Sequence, residues 1–286
     1  MLGRSLSRWE RPVENNLRKL QLVDLEILIR IRDFCDENQI TYYISGGTYL
    51  GAVRHQGFIP WDDDVDVAMP RDSYEKFIAL FPESIKGSDM KLITYKNTEN
   101  SFYHYPIRVE SGKVKMKYTG AVNEKVISAW VDVFPLDGMP SSPVKSKLHQ
   151  FDLLAKRALF KLSCFDDVVN LGEGKRSTID KVLIFLGKNV KIGRLFNPIR
   201  RLNAIDKSLK KYPPDKSEVY VNFMGAYRFN SIISKEVYGQ GAYYDFEGYK
   251  LHGPEHYDAY LTQIYGDYMR LPPDQDRNKH QLEILK

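Results

Sequence analysis

Cysteine is nearly absent from this sequence: Cys35 and Cys164 are the two in 286 residues. No Cys-x-x-Cys pair or Cys/His cluster accompanies them, which argues against structural zinc. Cys35 falls on the apolar side of a helical pattern and reads as a buried free thiol. Long apolar runs are missing too. No segment approaches the roughly 20 apolar residues that a membrane-spanning helix needs. Residues 1–11 carry charge without the apolar centre of a signal peptide. A reduced, cytoplasmic location is the resulting expectation. Internal repeats and low-complexity linkers are also lacking.

What is present fits a globular protein with polar clefts. The chain carries 19 Tyr, a residue that packs its ring while keeping a hydroxyl available for hydrogen bonds. The net charge of +5 is unevenly placed. Residues 175–216 hold twelve Lys/Arg against three acids, so that segment is +9 and the rest of the chain −4. Interleaved with Leu, Ile and Phe, it suits peripheral contact with an anionic membrane or an anionic polymer. Nucleic acid is not expected as a partner, because no recognised binding module accompanies the charge.

Leu17, Leu20, Val23, Ile27, Ile31 and Phe34 recur at spacings of three and four, predicting an amphipathic helix to about Glu37. Ile40–Ile44 is β-branched and aromatic and reads as a strand. Ser45-Gly46-Gly47-Thr48 reads as a turn leading into a helix. Asp64–Met69 alternates polar and apolar and reads as a second strand; Pro70 ends it, and Asp72 is placed to cap a helix over 73–81. Further strands are expected at 91–95, 103–109, 114–118 and 130–134. From Ser146 the pattern turns mostly helical, with Leu148, Phe151, Leu154, Ala155 and Ala158 on one face, and a last helix is expected over 257–265. The expectation is an α/β (α+β) fold with a mixed sheet flanked by helices and a helix-rich C-terminal half. Its catalytic core would span 1–145, and residues 146–286 would complete the cleft and take the acceptor.

Three features carry chemistry. Gly46-Gly47, between strand and helix, lets backbone N–H groups approach a phosphate. In Asp62-Asp63-Asp64-Val65-Asp66, strand geometry sends Asp64 and Asp66 to one side while Val65 and Val67 enter the core. Neighbouring carboxylates repel unless a cation lies between them, and such hard oxygen donors suit magnesium or manganese. Asp132 is a lone acid among Trp130, Val131, Val133 and Phe134, and a shared metal would offset its burial. Together these could hold two ions against a phosphate. An EF-hand would need Gly at Val67 and Glu at Ser73. A glycosyltransferase Asp-x-Asp remains open. Arg54, His55 and Arg71 flank the acids: the arginines offer planar forks for phosphate, and His55 could carry a proton. Trp61 and nearby tyrosines could face a quaternary ammonium.

Ser45-Gly46-Gly47-Thr48-Tyr49-Leu50-Gly51-Ala52-Val53-Arg54-His55 followed by Gly57-Phe58-Ile59-Pro60-Trp61-Asp62-Asp63-Asp64-Val65-Asp66 resembles the signature of the LicD phosphocholine-transferase family. Trp130–Asp137, Phe246-Glu247-Gly248 and Tyr265–Pro273 resemble its later blocks, whereas 145–215 matches poorly. The resemblance implies a nucleotidyltransferase-like fold. It implies transfer of a phospho-alcohol from a CDP-alcohol, CDP-choline preferred, to a sugar hydroxyl of a teichoic acid, lipopolysaccharide or other lipid-linked or polymeric glycan, with release of CMP. Ribitol, glycerol and ethanolamine donors stay open. Asp64, Asp66 and Asp132 match the family's metal carboxylates, with Asp132 placed to take the acceptor's proton. Ser45, Gly46, Gly47, Thr48, Arg54, His55, Trp61 and Arg71 would contact the substrate. The acceptor would sit at the inner membrane face. Nucleotidyl transfer, or non-catalytic glycan binding on the same fold, are the competing expectations.

Overall fold

A computed structural model describes residues 15–98, 103–118, 125–164, 196–273, 277 and 282–285. Helix α1 (Asn15–Glu37) leads through β1 (Tyr43–Ile44) into α2 (Gly46–His55). Next come β2 (Asp66–Pro70), α3 (Arg71–Ser84), β3 (Met90–Ile93) and the long strands β4 (Ile107–Tyr118) and β5 (Lys125–Leu136). The second half holds α4 (Pro143–Ser163), α5 (Pro198–Leu209), β6 (Val219–Tyr220), β7 (Ile233–Ser234) and α6 (Lys235–Tyr238). It continues with β8 (Ala242–Phe246), β9 (Tyr249–Gly253) and α7 (Tyr257–Tyr265), and β10 (Leu282–Ile284) returns to the first sheet.

That sheet has the order β1-β2-β5-β4-β10, with β3 also paired to β4. β2 and β5 run parallel, and every other pairing in it is antiparallel. This is the mixed α/β sheet expected from the sequence. The parallel pair positions the site, because its register sets Asp66 beside Asp132. The Asp132 N–H donates to the Val65 carbonyl at 2.9 Å, so the extended backbone is held just ahead of β2.

The helix predicted on the apolar repeat is α1. Ile27, Leu28 and Ile31 are fully buried on it, each contributing about 1.5–3 kcal/mol of burial. Leu20 packs with Met116, Ala129 and Trp130, fastening α1 across β4 and β5. The main core also draws Ile233, Phe246, Leu251, Leu261 and Ile264 from the second half, so that half packs on the sheet. At the β8–β9 hairpin, Glu247 (φ 52°) and Gly248 (φ 83°) both take the left-handed region, as a two-residue type I′ turn requires. The Glu247 carboxylate accepts from both terminal nitrogens of Arg18 (3.2 and 2.6 Å) and from the Phe58 N–H (3.3 Å). The hairpin tip thus anchors the 56–58 loop to α1.

Several local readings change: the strands expected at 103–109 and 114–118 are the single strand β4, and the strand expected from Asp64 begins at Asp66 and includes Pro70. The strand near Ile40 is reduced to Tyr43–Ile44. Gly46-Gly47 is the opening of α2 instead of a free turn. Asp72 lies in the first turn of α3 and caps nothing; Pro70 takes the cap position. On α4 the face of Leu148, Phe151 and Leu154 is exposed, while His149, Leu153 and Phe160 are buried. Residues 219–253 hold two short antiparallel pairs, β6–β7 and β8–β9. Among the described residues no helix is long and apolar enough to cross a membrane. Residues 175–195 of the basic segment lie outside the described residues; within the rest, Lys210 pairs with Glu75 and Asp206 at 2.8 and 2.9 Å.

Candidate active site

The start of α2 and the acid turn before β2 share one wall of a cleft of about 690 Å³. Gly47, Arg54, Trp61, Asp62, Asp63, Asp64 and Asp66 line it, and the 265–273 segment closes it with Tyr265, Asp267, Tyr268 and Arg270. The motif blocks far apart in sequence therefore meet across one space.

Backbone contacts fix the acids. The Asp66 N–H donates to Thr48 Oγ1 at 2.9 Å, and its carbonyl accepts from the Ser45 N–H at 3.0 Å. Ser45 and Thr48 are buried positioners of Asp66. The Asp62 carbonyl accepts from Gln21 Nε2 of α1 at 2.9 Å. The glycines are required by crowding. A Cβ at Gly46, where φ is +55°, would lie 2.6 Å from Asp66 Oδ2, and one at Gly47 would lie 2.7 Å from Asp62 Oδ2. Two carboxylates thus rest against the first turn of α2, whose N–H groups favour negative charge.

Asp62, Asp63 and Asp64 each offer a carboxylate oxygen, and these lie within 4.8 Å of one another. Behind them, from α1, comes Asp24, which sequence reasoning missed. It is 1% exposed, and its Oδ1 has no hydrogen-bond partner. Burial first, then the charges of Asp64 and Asp63, pushes its carboxyl well above the usual range. The available signal was an acid at the spacing of Leu20, Leu28 and Ile31, on the face that enters the core. Close hard oxygen donors with a buried oxygen lacking a partner fit a divalent cation such as magnesium or manganese.

Asp132 is placed differently from its neighbours. It is in register with Asp66 but does not line the cleft. Its Oδ1 accepts from Arg108 Nε at 2.8 Å and its Oδ2 from Trp130 Nε1 at 3.0 Å. Arg108 also stands over the Trp130 ring, 4.5 Å from its centroid. No local pattern points to this partner, since Arg108 is a single charge in a strand.

Arg71 corrects the sequence reading. It is 4% exposed and lies outside the cleft, at the far end of β2. Its guanidinium clasps Asp137 at 2.7 and 2.6 Å and reaches Asp206 and Glu75 at 3.2 Å. Four acidic and phenolic partners, including Tyr105 at 3.0 Å, use up its donors, so it holds the fold and does not meet phosphate. Arg54 does face the cleft, with Nη1 donating to the Tyr268 carbonyl at 2.7 Å. Trp61 lines the cleft with Arg277 4.4 Å from its ring centroid, so a cation already belonging to the protein occupies one ring face.

His55 Nε2 accepts from Arg54 Nε at 3.0 Å, which needs an unprotonated nitrogen. Burial, then the Arg54 charge, pushes the imidazole down to about 4, so it is neutral at pH 7 and poorly suited to carry a proton there. The folded value lies below the ordinary 6.5, so the unfolded chain takes up the proton first. Stability at this residue is lost as pH falls from about 6.5 towards 4. His55→Gln is expected to reduce the drop in melting temperature between pH 7 and pH 5. An unchanged drop would remove His55 from the acid response.

Comparison with known proteins follows the same lines. The family model described as "LicD/FKTN/FKRP, nucleotidyltransferase domain" matches residues 39–141, the stretch that carries α2, the acid turn and β5. The lipopolysaccharide cholinephosphotransferase LicD of Haemophilus influenzae is 31% identical over 280 residues, covering 93% of this chain and 96% of that protein. An uncharacterised protein of Rickettsia typhi is 39% identical over 67 residues, 23% of this chain and 20% of its own length. Fold, acid-lined cleft and these similarities define an enzyme of the phosphotransferase class on a nucleotidyltransferase-type α/β domain. Within that class, the chain belongs to the LicD family.

Proposed function

We propose that this protein transfers phosphocholine from CDP-choline to a sugar hydroxyl of a lipopolysaccharide-type surface glycan, releasing CMP, with magnesium or manganese at the Asp cluster. The observation that carries the reading is similarity along nearly the whole chain to a lipopolysaccharide cholinephosphotransferase. The family model's match takes in the acid turn, which lines the cleft together with the 265–273 segment.

Asp64 and Asp66, with Asp62 and Asp63, would hold the ions. When bound, the ions supply charge neutralisation on the diphosphate and a template for in-line displacement. Around them the chain's own groups position the donor. Arg54 and Arg270 bring positive charge to the same cleft as the acids. The acceptor hydroxyl oxygen attacks the choline-bearing phosphorus, the bond to the CMP oxygen breaks, and the hydroxyl proton leaves with the departing CMP phosphate or to solvent. Asp132, engaged by Arg108 and Trp130, is better suited to hold the β2–β5 edge beside Asp66 than to take the proton. A second cavity of about 450 Å³ shares Tyr268 with the cleft and adds Tyr243, Tyr244 and Tyr257, aromatic rings suited to a trimethylammonium group. The basic 175–216 segment is our candidate for meeting the membrane that carries the acceptor.

The test is incubation with CDP-choline, magnesium and a lipopolysaccharide acceptor, with release of CMP followed alongside incorporation of choline. Equal amounts of both support the reading. Pyrophosphate release would indicate nucleotidyl transfer instead, and full activity in chelator would remove the metal. Gly46→Ala tests the crowded helix start. The new Cβ displaces Asp66, so turnover is expected to fall about a hundredfold, with about 1–2 kcal/mol of stability lost to the left-handed backbone. Wild-type turnover would show that the carboxylate is not held by that contact.

A further inference from the structure

We propose that the outward face of α4 docks this protein on an anionic lipid surface, with the helix lying in the plane of the headgroups. The inference needs neither the metal nor the donor named above; exposed side chains on a helix outside the cleft carry it.

Helix α4 is apolar on two sides. Leu153 and Phe160 are buried on one side and share a core cluster with Leu202, Ile205 and Leu209 of α5. That side fastens the helix to the fold. On the other side Val144, Leu148, Phe151, Leu154 and Leu159 are exposed, Phe151 by 73%. At 3.6 residues per turn these five fall within an arc of about 140° and run along about 22 Å of helix. Single apolar side chains on a surface are ordinary, but five large ones in one stripe mark a contact surface. Leu148, Phe151 and Leu154 read in the sequence as a core face, and the fold turns them outward.

Positive charge borders the stripe. Lys145 and Lys147 are exposed beside Val144 and Leu148, and Lys161 stands in the last turn. No acid lies in the stripe: Asp152, the one acid of the helix, is engaged by Lys156 and Ser208. Exposed apolar groups edged by lysines fit a bilayer interface, where the ring and branched chains enter the acyl boundary and the ammonium groups reach the lipid phosphates. A second copy of the chain fits less well, because pairing this face with itself brings like charges together with no carboxylate between them. The helix lies along the surface and not through it, since among the described residues no helix is long and apolar enough to cross a membrane.

The full chain would be sedimented with vesicles of phosphatidylglycerol and phosphatidylethanolamine, and with phosphatidylcholine vesicles as the neutral comparison. Wild type, Leu148→Glu/Phe151→Glu and Lys145→Glu/Lys147→Glu are compared, with melting and solution mass as controls. Wild type is expected to bind the anionic vesicles and the neutral ones less. Leu148→Glu/Phe151→Glu should bind at least about tenfold more weakly, and Lys145→Glu/Lys147→Glu about tenfold more weakly at low salt, both melting as wild type does. No binding by wild type, or wild-type binding by Leu148→Glu/Phe151→Glu, would overturn the proposal. Equal binding to neutral vesicles would overturn the anionic preference. A wild-type dimer that Leu148→Glu/Phe151→Glu dissociates would give the face to a second copy and overturn the lipid assignment. Phe151→Ser is the gentler variant; if neither it nor the double variant melts cooperatively, the stripe is structural and the proposal falls. None of these results bears on CMP release, so the proposed reaction is tested separately.

Discussion

Asp64→Asn is expected to abolish transfer while leaving the fold and its melting temperature nearly unchanged. Asp64 lies in the acid turn of the cleft, part of the cluster whose oxygens fall within 4.8 Å. Removing one carboxylate charge leaves the cation held less tightly and the diphosphate charge less compensated. Metal stabilisation of developing charge amounts to several kcal/mol, so turnover should fall by about a thousandfold or more. Stability should hold, because crowded carboxylates repel one another and an amide relieves that strain. The measurement is CMP release at saturating CDP-choline, paired with thermal unfolding. Retained turnover at normal magnesium would sink the metal assignment; lost turnover with a collapsed melting curve would reassign Asp64 to the fold.

Arg71 carries the opposite expectation. Arg71→Met should unfold the protein readily, yet leave the donor's KM unchanged in whatever folds. The guanidinium is the hub for Asp137, Asp206 and Glu75. Its removal strands Asp137, which is 1% exposed. Breaking a buried pair in this way costs about 3–5 kcal/mol, a large part of a typical stability of about 5–15 kcal/mol. The melting temperature should drop by about 10 °C or more. Asp137→Asn should be destabilising too, and the double variant less so than the two losses added, because the pair is one unit. A normal melting temperature with a raised KM for CDP-choline would return Arg71 to phosphate binding.

The two residues show why flanking position is a poor guide to role. Arg54 and Arg71 are both single arginines beside the acid strand, and either side chain could fork onto a phosphate. Arg54 lies on α2, whose start faces the acids, and its charge enters the cleft. Arg71 follows β2 at its other end, one strand length away, with Asp137 just after β5 and Asp206 of α5. Nothing in the local spacing reports Asp206, 135 residues further on.

The sequence by itself determined the elements whose signal is periodic or covalently local. The three-and-four repeat of α1, the alternation through Val65 and Val67, and the last helix ending at Gly266 all depend on near neighbours. The acid turn and the glycines at the start of α2 were legible for the same reason: carboxylates two residues apart repel wherever the chain goes. Only the tertiary structure decided which charges meet. It buried Asp24 of α1, gave Asp132 to Arg108, brought residues 265–273 to the cleft, and turned Arg71 inward. Charge pairing depends on distance through space, and burial decides whether a carboxylate needs a proton, an arginine or an ion as its partner.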